Sequence, residues 1–449
     1  MIQHKIFYSS LQNFLNSSLQ SHSDLHIYLS YNQQMNHEGI SNFSSALSKC
    51  INLQALQLEM NSNEISLEGM QLLSSALAKC TNLQTLSLEI SDKLNDGQVS
   101  ILSLALLQLT RLSVLKLNLN YNAFGLLGVQ SLASVYEKQV NLTTLKLFLN
   151  YNNISEEETS ILGKAISNCI NLSTLVLSIS SNIFGEKRTQ KLGLNLANCT
   201  EIQDLQLILV GYQIGQEGIL ELCQTLTNCK KISSLSLDLS SNIIGIEGAK
   251  ILSSALRQVV NISTLELVLR LCDIGQDGLE CITSSLENNK NLSNLQLNFS
   301  FNQIEDESAL SLGLTLSDLT NLSSLSLELR YNKIGNSGLS SLALALENCS
   351  NLSTLLLFFK LNSICDEGVQ GLGLALTNCI SLTILRLELS CNKISYASAS
   401  QLALQLNSCA RLSTFIFELV DRNIDKEQNL QLRKEYCKIK RLVKKMILI

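Results

Sequence analysis

Proline and tryptophan are absent from all 449 residues, aromatic side chains make up only 5%, and there are four histidines. Each shortage excludes something. Without proline, helices have to be interrupted by Gly, Asn and Ser, which turn the chain by other means. His4, His22, His26 and His37 all lie near the start, so most of the chain has no imidazole for general-base or metal work. His22 and His26 share helical spacing, but the glutamate of a His-Glu-x-x-His zinc motif is missing and His26 falls on a predicted strand.

Long apolar runs are also missing. No stretch approaches the roughly 18 apolar residues of a spanning helix, and Gln3, His4 and Lys5 interrupt any signal-peptide core at the start. A net charge of only −5, dispersed along the chain, argues against a nucleic-acid-binding body. The expectation is a cytoplasmic protein, and the Asn-x-Ser/Thr triplets at Asn141, Asn171 and Asn261 read as by-products of a repeat, not as glycan acceptors. Reaction motifs fail in turn. Gly371-Leu372-Gly373 lacks the third glycine of a dinucleotide loop, and Gly163-Lys164-Ala165 lacks the Ser or Thr of a phosphate loop. There is no Gly-x-Ser-x-Gly elbow, and the carboxylates recur by repeat instead of converging as a pair. No catalytic residue, cofactor or metal is expected.

What the chain does have is a period. The segments beginning at Asn141, Asn261, Asn321 and Asn351 superpose at 30-residue spacing, and a fixed period of this length means a solenoid. In the unit from Leu53 to Cys80, Leu56, Leu58 and Met60 alternate with Gln57, Glu59 and Asn61, the pattern of a strand with one buried face. Glu68-Gly69 reads as a turn. Leu72, Leu73, Ala76, Leu77 and Cys80 then recur at three- and four-residue steps, a helical stripe. Parallel strands sit about 4.8 Å apart and packed helices about 8–10 Å, so a stack of such units should bend by roughly 20–25° per repeat. The expected fold is α/β, a right-handed horseshoe with an inner parallel sheet and outer helices. It should comprise about thirteen repeats of about 30 residues, read as one elongated domain.

Leu-x-x-Leu-x-Leu followed by Asn or Cys, then Ile and a Gly-containing helix, resembles the leucine-rich repeat. Unit length and helical half place it nearest the ribonuclease-inhibitor type. Asn242-Ile243-Ile244-Gly245-Ile246-Glu247-Gly248 is similar to repeats of NOD-like receptors and Ran GTPase-activating proteins. The strand carries one extra alternation, which should make the inner wall taller. The resemblance implies that the recurring asparagine bonds the backbone of the turn after each strand. That position is held by Asn32, Asn63, Asn122, Asn152, Asn182, Asn242, Asn302, Asn332, Asn362 and Asn392, with Cys272 substituting once. Lys93, Tyr212 and Arg422 do not fit, and the 81–110 unit is one residue short. The resemblance also brings two rival functions, regulation of a small GTPase and inhibition of a nuclease, without a site motif to carry either.

The fourteen cysteines include no Cys-x-x-Cys pair. Cys50, Cys80, Cys169, Cys199, Cys229, Cys349, Cys379 and Cys409 occupy one repeat position. At helix spacings of about 8–10 Å they are too far apart for disulfides, which need Cα atoms within about 7 Å. They read as reduced core thiols.

Function should then lie in strand residues that face away from the core. Two patches of aromatic and charged residues emerge there: Lys116, Tyr121, Lys146, Phe148 and Tyr151, and then Phe301, Glu328, Arg330, Tyr331, Phe358, Lys360, Arg386 and Glu388, with Arg270 in a third exposed column that also holds Asn120, Asn150, Arg330 and Lys360. Exposed aromatics beside arginine are the composition of binding hot spots; cross-strand pairing within the sheet is the competing explanation. The outer helical face reads as solvated and without a role. The expected partner is another protein bound by a monomer.

Residues 1–23 should form a capping helix through Leu11, Phe14, Leu15 and Leu19, residues 24–424 the repeat array, and residues 425–449 a basic C-terminal capping helix. That helix, with seven Lys and Arg from Arg433 onward against Glu435, is the only candidate membrane contact.

Overall fold

The computed structural model describes residues 5–32, 34–180, 196, 198–211, 213–420, 424–439 and 443–448. The expectations for Asn182, Tyr212 and Arg422 lie outside them. The chain divides into two compact units, Met1–Ile232 and Ser233–Ile449. Each alternates strand and helix, and within each the strands lie parallel in sequence order.

In the first unit the strands run from Ile6–Tyr8 and Asp24–Tyr28 to Asp204–Ile208; in the second they run from Ser234–Asp238 to Lys444–Leu448. Most are five residues long with the second and fourth buried, as in Ala55–Glu59 and Thr264–Val268. Alternation therefore sends leucines inward and the odd positions to the face. Equivalent residues pair directly, Leu325 with Leu295 and Leu355 for instance. The extra alternation extends the ladder beyond the regular strand: Leu119 N–H donates to Phe148 O and Tyr121 N–H to Asn150 O, at 2.9 Å each.

Three further ladders join repeat to repeat. Asn122 Nδ2 donates to Leu119 O of its own turn and to Ile90 O of the preceding one, while its Oδ1 accepts from Asp92 and Leu94 N–H. Asn332 and Asn392 repeat the pattern, and Cys272 Sγ reaches Leu239 O at 3.1 Å. In the short repeat Asp92 takes this place, accepting from Asn63, Glu64 and Ile65 N–H. The irregularity expected at Lys93 is thus absorbed one residue earlier, because the deletion shortens the turn. A second ladder runs through the cysteines: Cys80, Cys169, Cys349 and Cys409 Sγ lie 3.4–3.7 Å from the carbonyl 33 residues back.

The third ladder caps helices. Helix Leu126–Lys138 begins after Gly125, which has no side chain to cap it, and Asp96 of the preceding helix accepts from Gly125 and Gly128 N–H at 2.8 Å. Asp306 does the same for Gly335, and Asn336 for Cys365 and Gly368. This close approach needs glycine: a Cβ on Gly338 would lie 2.6 Å from Asp306 Oδ1. The Glu-Gly pair read as a turn is accordingly the first turn of the helix; Leu67–Leu77 contains Glu68 and Gly69 and is capped by Ser66.

The ends differ from expectation. Helix Leu11–Leu15, with Leu11 and Phe14 buried, follows a strand, Ile6–Tyr8, paired to Asp24–Tyr28. At the other end, helix Lys426–Cys437 stops and Lys444–Leu448 adds a strand beside Thr414–Glu418. The segment from 425 onward is therefore not one helix. A strand end has unmet backbone groups that a helix alone could not pair.

Candidate functional site

In the first unit, strands Val114–Asn118 and Thr144–Phe148 set Lys116 directly opposite Lys146. Lys116 Nζ lies 5.9 Å from the centre of the Phe148 ring. Among the described residues neither lysine has a carboxylate partner. Beyond the strand ends Tyr121 and Tyr151, both exposed, stack with ring centroids 4.5 Å apart and 8° between planes. Their backbones are left-handed, at φ 57° and 56°, as are Tyr31, Ser241, Phe301 and Tyr331 at the same repeat position. The reversal carries the chain from the ladder into the buried asparagine and leaves the preceding side chain on the rim. Gly211, at φ 66°, fills that position in one repeat without the strain a side chain meets there.

Asn120 and Asn150, in the third exposed column, are half-buried and engaged. Asn120 Oδ1 accepts from Asn150 N–H, and Asn150 Oδ1 from Ser180 N–H and Ser178 Oγ–H. Sequence reasoning missed this polar ladder; the signal was Asn or Ser recurring two residues before the asparagine position.

In the second unit, Arg270 lies 4.7 Å over the Phe301 ring, and Phe301 stacks on Tyr331 at 4.0 Å. One strand further, the Phe358 ring lies between two guanidiniums, Arg330 at 4.4 Å and Arg386 at 5.0 Å. Arg330 Nε donates to Glu388 Oε2 at 2.7 Å and Nη1 to Glu328 Oε2 at 3.0 Å; Arg386 Nη2 donates to Glu418 Oε1 at 2.7 Å. Asn298 Nδ2 also donates to Glu328. Phe358 and Glu388 were expected on an exposed face, yet they are 4% and 5% exposed, because the two arginines lie over them. Glu418 and Asn298 are members of this network that sequence reasoning left out; both follow from the 30-residue register once Arg330 is seen to reach two strands over. Lys360 is half-buried with no carboxylate partner among the described residues.

The two patches therefore differ in kind. The network of Glu328, Arg330, Phe358, Arg386 and Glu388 is largely satisfied within itself. Lys116 and Lys146 are not, and like charges directly opposite one another destabilise a sheet.

With this geometry in view, residues 291–313 and 323–343 match the family model described as Leucine Rich repeat. These two segments are leucine-rich repeats. No curated protein matches it significantly. Among solved structures, a leucine-rich repeat protein of Leptospira interrogans is similar over 99% of this chain and 100% of its own, at 16% identity and a TM-score of 0.45. No helix among the described residues is long and apolar enough to cross a membrane.

Proposed function

We propose that the protein is a non-enzymatic interaction scaffold, with repeats of the ribonuclease-inhibitor type, that binds another protein through its strand face in a reducing compartment such as the cytoplasm. One observation carries the reading: Lys116 and Lys146 stand opposite each other without a counter-charge among the described residues, beside the exposed Tyr121–Tyr151 stack. Cross-strand chemistry does not account for it, since the pair opposes the sheet it sits on. A partner supplying carboxylates and an apolar side chain satisfies both halves. In the second unit Arg270, Tyr331 and Lys360 present the accessible part of a patch whose remainder holds itself together.

Replacing Tyr121, Lys146 and Tyr331 together by Ser and comparing cross-linked partners with wild type tests the reading. Loss of specific partners is the expected result; retention of every one places binding elsewhere. No residue favours the GTPase-regulator or nuclease-inhibitor alternatives, and a GTP-hydrolysis assay over a panel of small GTPases separates the first of these.

A further inference from the structure

The outward side of four neighbouring helices in the second unit is not the plain polar surface expected of it. In Asp306–Asp318, Asn336–Glu347, Asp366–Asn378 and Tyr396–Leu406 the sequence reads Leu-x-Leu-x-Leu. A helix turns about 100° per residue, so three such leucines cannot all face one core. The outer two of each triplet are buried, and the middle ones, Leu314, Leu344, Leu374 and Leu404, are between 60% and 65% exposed. The four helices pack side by side in sequence order, which lines these leucines into a ridge. Elsewhere the position is mostly polar, as at Ser75, Ser254 and Ser284. The ridge exposes on the order of 400 Å² of apolar surface, the scale at which patches on monomers mark contact sites.

Its charge is one-sided. The four helices contain no Lys or Arg. Asp306 and Asp366 are occupied at the starts of following helices, and Asp318 lies 3.8 Å from Lys290. Glu307, Glu347 and Glu367 are exposed; among the described residues Glu347 and Glu367 accept only from neutral amides of Asn378 and Asn336. Lys333 and Lys393 lie in the turns ahead of the helices, and Lys333 is paired with Glu305.

We propose that this ridge docks a basic amphipathic helix of another protein, laid across the four helices. Packed helices are spaced about 8–10 Å, and residues seven apart on a helix are separated by about 10.5 Å. One apolar side chain per heptad therefore meets one ridge leucine after another. Four leucines cover about 30 Å, or about 20 residues of the visiting helix. Lysines flanking its apolar stripe face Glu307 and Glu367 on one side and Glu347 on the other. The same carboxylates repel an anionic membrane and a second copy of the ridge.

The probe is a fluorescein-labelled 28-residue helical peptide with leucine at the apolar positions of four heptads and lysine on its flanks, titrated against the full chain by anisotropy. Binding is expected, weakened at least tenfold in Leu344→Ser/Leu374→Ser and severalfold in Glu307→Gln/Glu367→Gln, with melting temperatures unchanged because these side chains are exposed. Tyr331→Ser leaves it untouched, which separates the ridge from the strand face. Absence of binding to wild type, equal binding to the leucine double variant, or equal binding of a glutamate-flanked peptide overturns the proposal. So does concentration-dependent dimerisation that disappears in the leucine variant, which assigns the ridge to a second copy.

Discussion

Asn289 is a flaw in the repeat, and repairing it should stabilise the protein by a predictable amount. It occupies the position that cysteine holds in eight repeats. There the thiol reaches a carbonyl 33 residues back, as Cys349 does to Leu316 O at 3.6 Å. Gln139, at the same position, bridges the distance by donating Nε2 to Leu106 O at 3.0 Å and Leu109 O at 3.2 Å. Asparagine is one methylene shorter. Asn289 is fully buried, and among the described residues neither of its amide atoms has a hydrogen-bond partner. Leaving a buried donor or acceptor unmet costs about 1–3 kcal/mol. Asn289→Cys removes the amide and restores a thiol in reach of a carbonyl, so a net gain of about 2 kcal/mol follows. For a cooperative unit of this size each kcal/mol moves Tm by about 2–4 °C, giving about 4–8 °C in all. Scanning calorimetry reads it directly, and the reciprocal Cys349→Asn should fall by a similar amount. An Asn289→Cys protein that melts at or below the wild-type temperature would refute the reasoning, showing the amide to be satisfied in solution.

Asp92 is held at the asparagine position with its pKa raised by burial, against three backbone donors that lower it. A carboxyl raised in the folded state contributes stability that is complete below its unfolded value of about 3.9 and lost as pH rises through the folded pKa. Asp92→Asn should therefore melt higher than wild type at pH 7, with the gap closing toward pH 4; a gap independent of pH contradicts the assignment. Burial pushes the Cys50 thiol up to about 11 and those of Cys80 and Cys199 up to about 12, so iodoacetamide at pH 8 should label the exposed Cys391 and Cys437 first and these three only after unfolding, as peptide mass mapping will show. Tyr436 is fully buried against Phe415 and Phe417, with its hydroxyl donating to Ala399 O at 2.8 Å. Tyr436→Ala should cost about 3–5 kcal/mol by analogy with other buried aromatics, whereas a helix without a capping role tolerates the change with little loss of Tm.

The repeat period, the alternation of its leucines and the helical stripe are local properties, and they were enough to predict strand, helix, the parallel order of strands and the buried cysteine column, while the asparagine ladder came from the resemblance. Each depends only on which side of a regular element a residue takes. The tertiary structure decided what register and reach decide. Arg330 spans two strands to Glu388 and covers Phe358, so two residues expected at the surface are buried, while Lys116 and Lys146 have no counter-charge among the described residues. The C-terminal segment splits into helix and strand because an open sheet edge offers it backbone partners, which no side-chain pattern records. The middle leucine of Leu-x-Leu-x-Leu looks like core in a linear reading, but only two of the three can face inward on a helix. Its exposure, four repeats in a row, became visible when the helices were set side by side.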